Sequence, residues 1–310
     1  MQPNAEKSAA ATVDEWVRDA ARRMEVADLF FGHGTANARD EACWMVSHAL
    51  GLAPDFSVGE MARRLESDAL ARLERLLAER IATRRPLAYL IGEAWFAGLH
   101  FKVDENTLVP RSPLAELIRD GLMPWLDLER PLRVLDVGTG CGCIACALAW
   151  YWPELRVDAV DNSPAALARA AANVERLGLA DRVRLIESDV YDGLEASSED
   201  RPRYDLIVSN PPYVPEASMH TLPAEYRHEP EAALAAGADG LAIVRRLIAG
   251  AADRLAPGGW LLLEVGEAQP QTERLLGEAE AIWLEFEHGG EGVVLLDRSA
   301  CIDWHGRVRA

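Results

Sequence analysis

The stretch Val134-Leu135-Asp136-Val137-Gly138-Thr139-Gly140-Cys141-Gly142 decides the fold. The apolar run over 132–137 predicts a buried strand. Glycines at 138, 140 and 142 let the backbone turn tightly and let a ligand come close to it. A helix is expected to start near Cys143. A strand, a glycine loop and a helix N-terminus form the opening half of a βαβ unit. The dinucleotide fingerprint places a third glycine three positions after its second. Position 143 is Cys, so the fit to that ligand class is poor.

Outward from this loop the chain alternates strand and helix. Further strands are expected over 156–160, 183–187, 204–208, 260–265, 282–287 and 293–296. That rhythm implies right-handed crossovers and an α/β fold, with a mainly parallel sheet covered on both faces. The link His288-Gly289-Gly290-Glu291-Gly292 has hairpin length, so the last strand should run antiparallel. Asp161 ends the second strand 23 positions past Gly138, where a carboxylate can bond ribose hydroxyls. The other reading is that Asp161 caps the helix beginning near Ser163-Pro164, but Ser163 can serve as that cap instead. The Asp-x-Gly-x-Gly-x-Gly spacing suits S-adenosyl-L-methionine, which has no pyrophosphate to cradle. Its aminocarboxylate tail can sit by the glycine loop and the helix N-terminus. Asp136, Gly138, Thr139, Gly140, Cys141, Gly142 and Asp161 are therefore the cofactor candidates. Asp189 is a candidate partner for an adenine amine, with Val190 beside the ring; an ordinary loop aspartate stays open as the other reading.

The second informative stretch is Ser209-Asn210-Pro211-Pro212-Tyr213, after the apolar run 204–208. Neither proline donates an N–H, so the strand must end in a stiff loop. Ligands of parallel α/β sheets bind beyond the carboxyl ends of the strands. Asn210 offers a side-chain carbonyl, Pro211 a backbone carbonyl, and Tyr213 a flat face and a hydroxyl. Two acceptors and an aromatic wall suit a planar NH₂ group. Asn210, Pro211, Pro212 and Tyr213 are the substrate-binding candidates, with Asn210, Pro211 and Tyr213 the catalytic ones; Asn210 also borders the cofactor.

The 310 residues allow one large domain and a small one, and 49% hydrophobic content supports a substantial core. Fifty acidic against 32 basic residues leave a net charge of −18. That disfavours direct nucleic-acid binding and favours a basic protein partner. Five cysteines, an odd number, suggest reduced thiols in a cytoplasmic protein. The start, Met1 to Ala11, lacks a signal-type apolar segment, and no apolar run reaches membrane-spanning length.

Residues 1–84 read as a helical domain. Thr12-Val13-Asp14-Glu15 and Ser57-Val58-Gly59-Glu60 have capping-box spacing, and Gly51 ends a helix over 38–50. Met61, Leu65, Leu70, Leu73, Leu76, Leu77 and Ile81 recur at helical spacing. Residues 85–111 read as a β-hairpin linker, leaving 112–310 as the catalytic domain. Arg111 is either an ion-pair partner or part of the site. Cys141, Cys143 and Cys146 have no second Cys or His pair at zinc spacing, so no metal is expected. His228 reads as a polar loop residue.

The Asp136–Gly142 loop, Asp161, the Asn210–Tyr213 tip and the Pro257-Gly258-Gly259 turn make the chain resemble HemK-type protein-glutamine methyltransferases over residues 85–296. The resemblance implies a class I, Rossmann-like, S-adenosylmethionine-dependent methyltransferase with a seven-stranded sheet. It implies methyl transfer to a glutamine side-chain nitrogen. One branch of the family modifies peptide-release factors and another the third large-subunit ribosomal protein. Glu93-Ala94-Trp95-Phe96-Ala97-Gly98-Leu99, Val109-Pro110-Arg111-Ser112-Pro113 and Glu225-Tyr226-Arg227-His228-Glu229-Pro230 are similar to the second branch. The release-factor branch usually carries Arg-Pro-Asp-Thr-Glu where Arg111 begins. The competing enzyme class, an adenine-amino methyltransferase, shares an Asn-Pro-Pro-Tyr tip but needs a basic surface. A non-enzymatic adaptor would have no use for both the cofactor loop and the tip.

Overall fold

The computed structural model describes residues 11–53, 55–194, 203–287 and 289–309. The Met1–Ala10 start and His288 lie outside the described residues. The chain divides into two compact units: residues up to Gly92 together with Pro223–His228, and the remainder from Glu93.

The first unit is helical: α1 (Val13–Val26), α2 (Ala38–Leu50), α3 (Val58–Met61), α4 (Ser67–Thr83) and α5 (Leu87–Ile91). Helix α1 opens with a complete capping box, in which Thr12 accepts from the Glu15 N–H and Glu15 reaches back to the Thr12 N–H. Its buried stripe is Val13, Trp16, Val17, Ala20 and Met24. The stripe packs against α2, which in turn packs against α4, where Leu73 and Leu77 are fully buried. Gly51 ends α2 in the left-handed region, at φ 65°.

Two local expectations change. The box at Ser57 does not form, because Ser57 makes no side-chain cap bond and α3 lasts four residues. Residues 63–65 bond instead to 11–13: Val13 N donates to Arg63 O and Leu65 N to Ala11 O. The hairpin expected across 85–111 is confined to β1 (Glu93–Phe96) and β2 (Leu99–Lys102). The run Leu87-Ala88-Tyr89-Leu90-Ile91 has no polar–apolar alternation. It follows Pro86 and precedes Gly92 at φ 70°, and these are start and stop signals of a short helix.

Pro223–His228 belongs to the helical unit through buried charge. Arg80 donates to Glu41 at 2.7 Å and to the Phe30 carbonyl at 3.1 Å. Glu225 accepts from the Phe30 N–H at 3.0 Å and pairs with Arg84 at 2.9 Å. Arg80, Glu41 and Glu225 are all buried. His228 Nε2 lies 3.1 Å from the Thr83 carbonyl oxygen.

The second unit continues with α6 (Leu114–Asp120), β3 (Leu132–Val137), α7 (Cys143–Tyr151), β4 (Leu155–Asp161), α8 (Pro164–Arg176), β5 (Val183–Glu187), β6 (Tyr204–Ser209) and α9 (Glu216–Met219). It ends with α10 (Ala242–Ala251), β7 (Leu255–Glu264), α11 (Gln269–Leu276), β8 (Ile282–Leu284), β9 (Val293–Asp297) and α12 (Arg298–Arg309). The sheet order is β5-β4-β3-β6-β7-β9-β8. Strands β3 to β7 are parallel, and β9 runs antiparallel to both β7 and β8. The antiparallel end follows from the short link before Val293; insertion of β9 between β7 and β8 was beyond the periodicity. Strands β3 and β6 are buried on both faces, which explains their continuous apolar runs. The strand order reverses between them, so their carboxyl ends form a crevice.

Candidate active site

That crevice is a cavity of about 230 Å³ lined by residues from one unit only. It is lined by Gly138, Thr139, Gly140 and Cys141 of the glycine loop and by Asp161, Asp189 and Val190. Asn210, Pro211 and Pro212 also line it, as do Asn106, Leu108, Arg111 and Ser112. Asp136, Gly142 and Tyr213 are not among the described lining residues.

The glycine loop is held by a defined set of bonds. Gly138 N and Thr139 N both donate to Val160 O at 2.9 Å. Asp136 is fully buried beneath the loop; its Oδ2 accepts from Thr139 Oγ1 at 2.6 Å and from Ala145 N at 3.2 Å. Burial pushes its carboxyl up to about 7. Asp136 thus shapes the loop from below. Gly140 has φ 57°, and a Cβ there meets no atom within 4 Å, so the backbone lies open to the cavity. Gly142 answers a packing demand instead, since a Cβ there would sit 3.1 Å from the Ala170 Cβ on α8. Asn173, fully buried on α8, ties the loop to the hairpin. Its amide donates to Cys141 O and Lys102 O, and its carbonyl accepts from Lys102 N. Nothing in the sequence pattern marked it.

Asp161 has two bonds in place: Oδ2 accepts from Gly140 N and Oδ1 from Ser163 N, both at 2.9 Å. Ser163 caps α8 through Ala166 N. An ionised carboxylate accepts about four hydrogen bonds, so Asp161 can pin the loop and still accept from hydroxyls. Asp189 pairs with Arg246 at 2.8 Å, which engages the carboxylate proposed for an adenine amine. Val190 adopts φ 55°, a strained conformation for a β-branched residue of the kind kept at ligand sites.

At the tip, Ser209 Oγ donates to Val137 O at 2.6 Å and locks β6 to β3. Asn210, Pro211 and Pro212 face the cavity, whereas the phenol end of Tyr213 lies against Gly266. Arg111 fills both roles left open for it. It lines the cavity and makes a two-bond pair with Glu229, at 2.5 and 2.8 Å. Glu229 also accepts from Val109 N at 3.1 Å, which fixes the segment 109–111. Glu264 is buried at the end of β7 and accepts from Ser112 Oγ. Burial pushes its carboxyl up to about 7, against hydrogen bonds from Ser112 and Asn210 and the charge of Arg111. Sequence reasoning passed over Glu264, although a lone acid closing the run Leu261-Leu262-Leu263 was a signal.

Hydrogen bonding to Cys141 and burial push the Cys143 thiol well above its ordinary value, and burial raises Cys146. These are protonated packing thiols. Among the described residues no His, Cys, Asp or Glu cluster could hold a metal ion, and no helix is long and apolar enough to cross a membrane.

An open glycine backbone, the Asp161 carboxylate and a helix N-terminus in one crevice fit S-adenosyl-L-methionine. Fold and cavity define a class I methyltransferase dependent on that cofactor, and residues 120–225 match the methyltransferase small domain. Residues 15–92 match the PrmC N-terminal domain. The chain belongs to the ribosomal protein uL3 glutamine methyltransferase family. Relatives of that name include the protein of Xylella fastidiosa strain Temecula1, 45% identical over 96% of this chain and 94% of its own. The Bordetella pertussis protein is 42% identical over 93% of this chain and 95% of its own. The Neisseria meningitidis serogroup B protein is 43% identical over 92% of each.

Proposed function

We propose that this chain methylates the side-chain amide nitrogen of a glutamine in ribosomal protein uL3, in the cytoplasm. One observation carries the reading: Asn210 and Pro211 line the same cavity as Gly138, Gly140 and Asp161. The relatives' shared name supports the substrate. When bound, S-adenosyl-L-methionine supplies a methyl group activated by its sulfonium; the residues 138–141, Asp161 and 188–190 would hold it.

An amide nitrogen is a poor nucleophile, because its lone pair is delocalised into the carbonyl. The Asn210 side-chain carbonyl and the Pro211 backbone carbonyl accept the two amide N–H bonds and orient the nitrogen. They also stabilise positive charge growing on it. The contribution is positioning plus electrostatic preorganisation. No general base is needed beforehand, since the product can shed its proton to water. Tyr213 belongs to the acceptor side of the tip, with its ring resting on Gly266. We assign recognition of the basic substrate to the helical unit and the acidic surface, in line with a net charge of −18.

The test offers equal amounts of purified uL3, a peptide-release factor and an adenine-containing oligonucleotide with radiolabelled methyl donor. Label should appear on a uL3 glutamine. Preferential labelling of the release factor would overturn the substrate and keep the chemistry. Label confined to the oligonucleotide would overturn the protein-substrate reading.

A further inference from the structure

We infer that Glu264, steadied by Ser112, is a positioning residue that fixes the amide of Asn210 with its carbonyl toward the acceptor. Three observations carry this. Glu264 accepts a hydrogen bond from Ser112 Oγ, and the nearby Asn210 amide draws its carboxyl downward against burial. The ladder between β6 and β7 pairs Ser209 with Leu263, one residue before each, so backbone register sets the two side chains beside one another. Asn210 lines the cavity, whereas Glu264 is 5% exposed and stands behind it.

The chemistry follows from donor inventory. An ionised carboxylate only accepts hydrogen bonds, so the Asn210 group facing Glu264 must be its NH₂. The Asn210 carbonyl is then left for the cavity, which is the orientation an acceptor amide requires. The Ser112 hydroxyl cannot compete: its oxygen accepts from Leu114 N at 3.1 Å while its proton goes to Glu264. A neutral acid at 264 could donate to the Asn210 carbonyl and turn the amide round. Arg111 is the charged group facing Glu264, and it is itself paired with Glu229. The carboxyl lies near 7, so proton loss through that range should raise the fraction of correctly turned amide.

The inference rests on the proposed role of Asn210, so its test includes a readout independent of substrate. In wild type, the Asn210 side-chain ¹⁵N–¹H signals, assigned by their loss in Asn210→Asp, should titrate near neutrality. In Glu264→Gln they should not. Glu264→Gln should bind S-adenosyl-L-homocysteine within about two-fold of wild type. Its kcat should fall by about 10–100-fold, less than the ~10²–10³ typical of deleting a preorganised donor outright. The acid limb of its pH profile should vanish. In an Asn210→Ala background the same change should cost little more, since residues acting as one unit are not additive. Independent, multiplicative losses would overturn the inference, as would Asn210 signals that titrate alike in both proteins. Should Glu264→Gln fail to fold, Ser112→Ala is read by the same titration, which it should shift; an unshifted curve overturns the inference. If uL3 is not the acceptor, the transfer assay fails while the titration persists.

Discussion

Asp161 does two things with one carboxylate. It pins Gly140 and Ser163 to the end of β4, and it lines the cavity. Asp161→Ala should weaken S-adenosyl-L-homocysteine binding by about 1–3 kcal/mol, the cost of an unsatisfied polar partner. It should also speed amide exchange at Gly140. Calorimetry showing unchanged affinity would remove Asp161 from the site. Its legibility came from local demands: glycines for an open turn, then an acid at fixed spacing. Glu264, Glu229 and Asn173 were not legible in the same way. Ser112 and Glu264 stand 152 positions apart, and Arg111 and Glu229 stand 118 apart. Pairing of that kind is created by the fold and leaves no spacing to read.

Helix and strand identities were set by short-range physics where one signal acted alone, as with the box at Thr12, the cap at Gly51 and the apolar β3. They shifted where a distant partner competed, as when residues 11–13 claimed the backbone of 63–65. The segment Pro223–His228 is the largest case. Its sequence follows the tip, yet Glu225 is buried with the helices against Arg84 and Phe30. Glu225→Ala takes the buried partner from part-exposed Arg84 and leaves buried Arg80 with Glu41 alone. Removing one member of a buried pair costs about 3–5 kcal/mol. Urea denaturation followed by helix circular dichroism should show that loss; a midpoint within ~0.5 kcal/mol of wild type would mean the cluster is compensated by water.

Across the whole molecule the dominant fact is charge. A net −18 on 310 residues attracts a basic partner over distances set by ionic strength. The on-rate for uL3 should fall several-fold between about 0.05 and 0.3 M salt, while kcat at saturation changes little. Stopped-flow association at both salts checks this; a salt-independent on-rate would assign recognition to contact alone.

The helical unit is written in two pieces of chain, and a ribosome makes them at different times. Synthesis runs at roughly 5–20 residues per second, so Pro223–His228 follows Gly92 by on the order of ten seconds. Through that interval Arg80 and Arg84 wait without Glu225, and the nascent helices are held by their apolar stripes, the Thr12 box and the Arg80–Glu41 pair. Completion of the unit is therefore timed by the emergence of the sequence that follows the Asn210–Tyr213 tip. A fragment ending at Gly92 would remain in the waiting state for good.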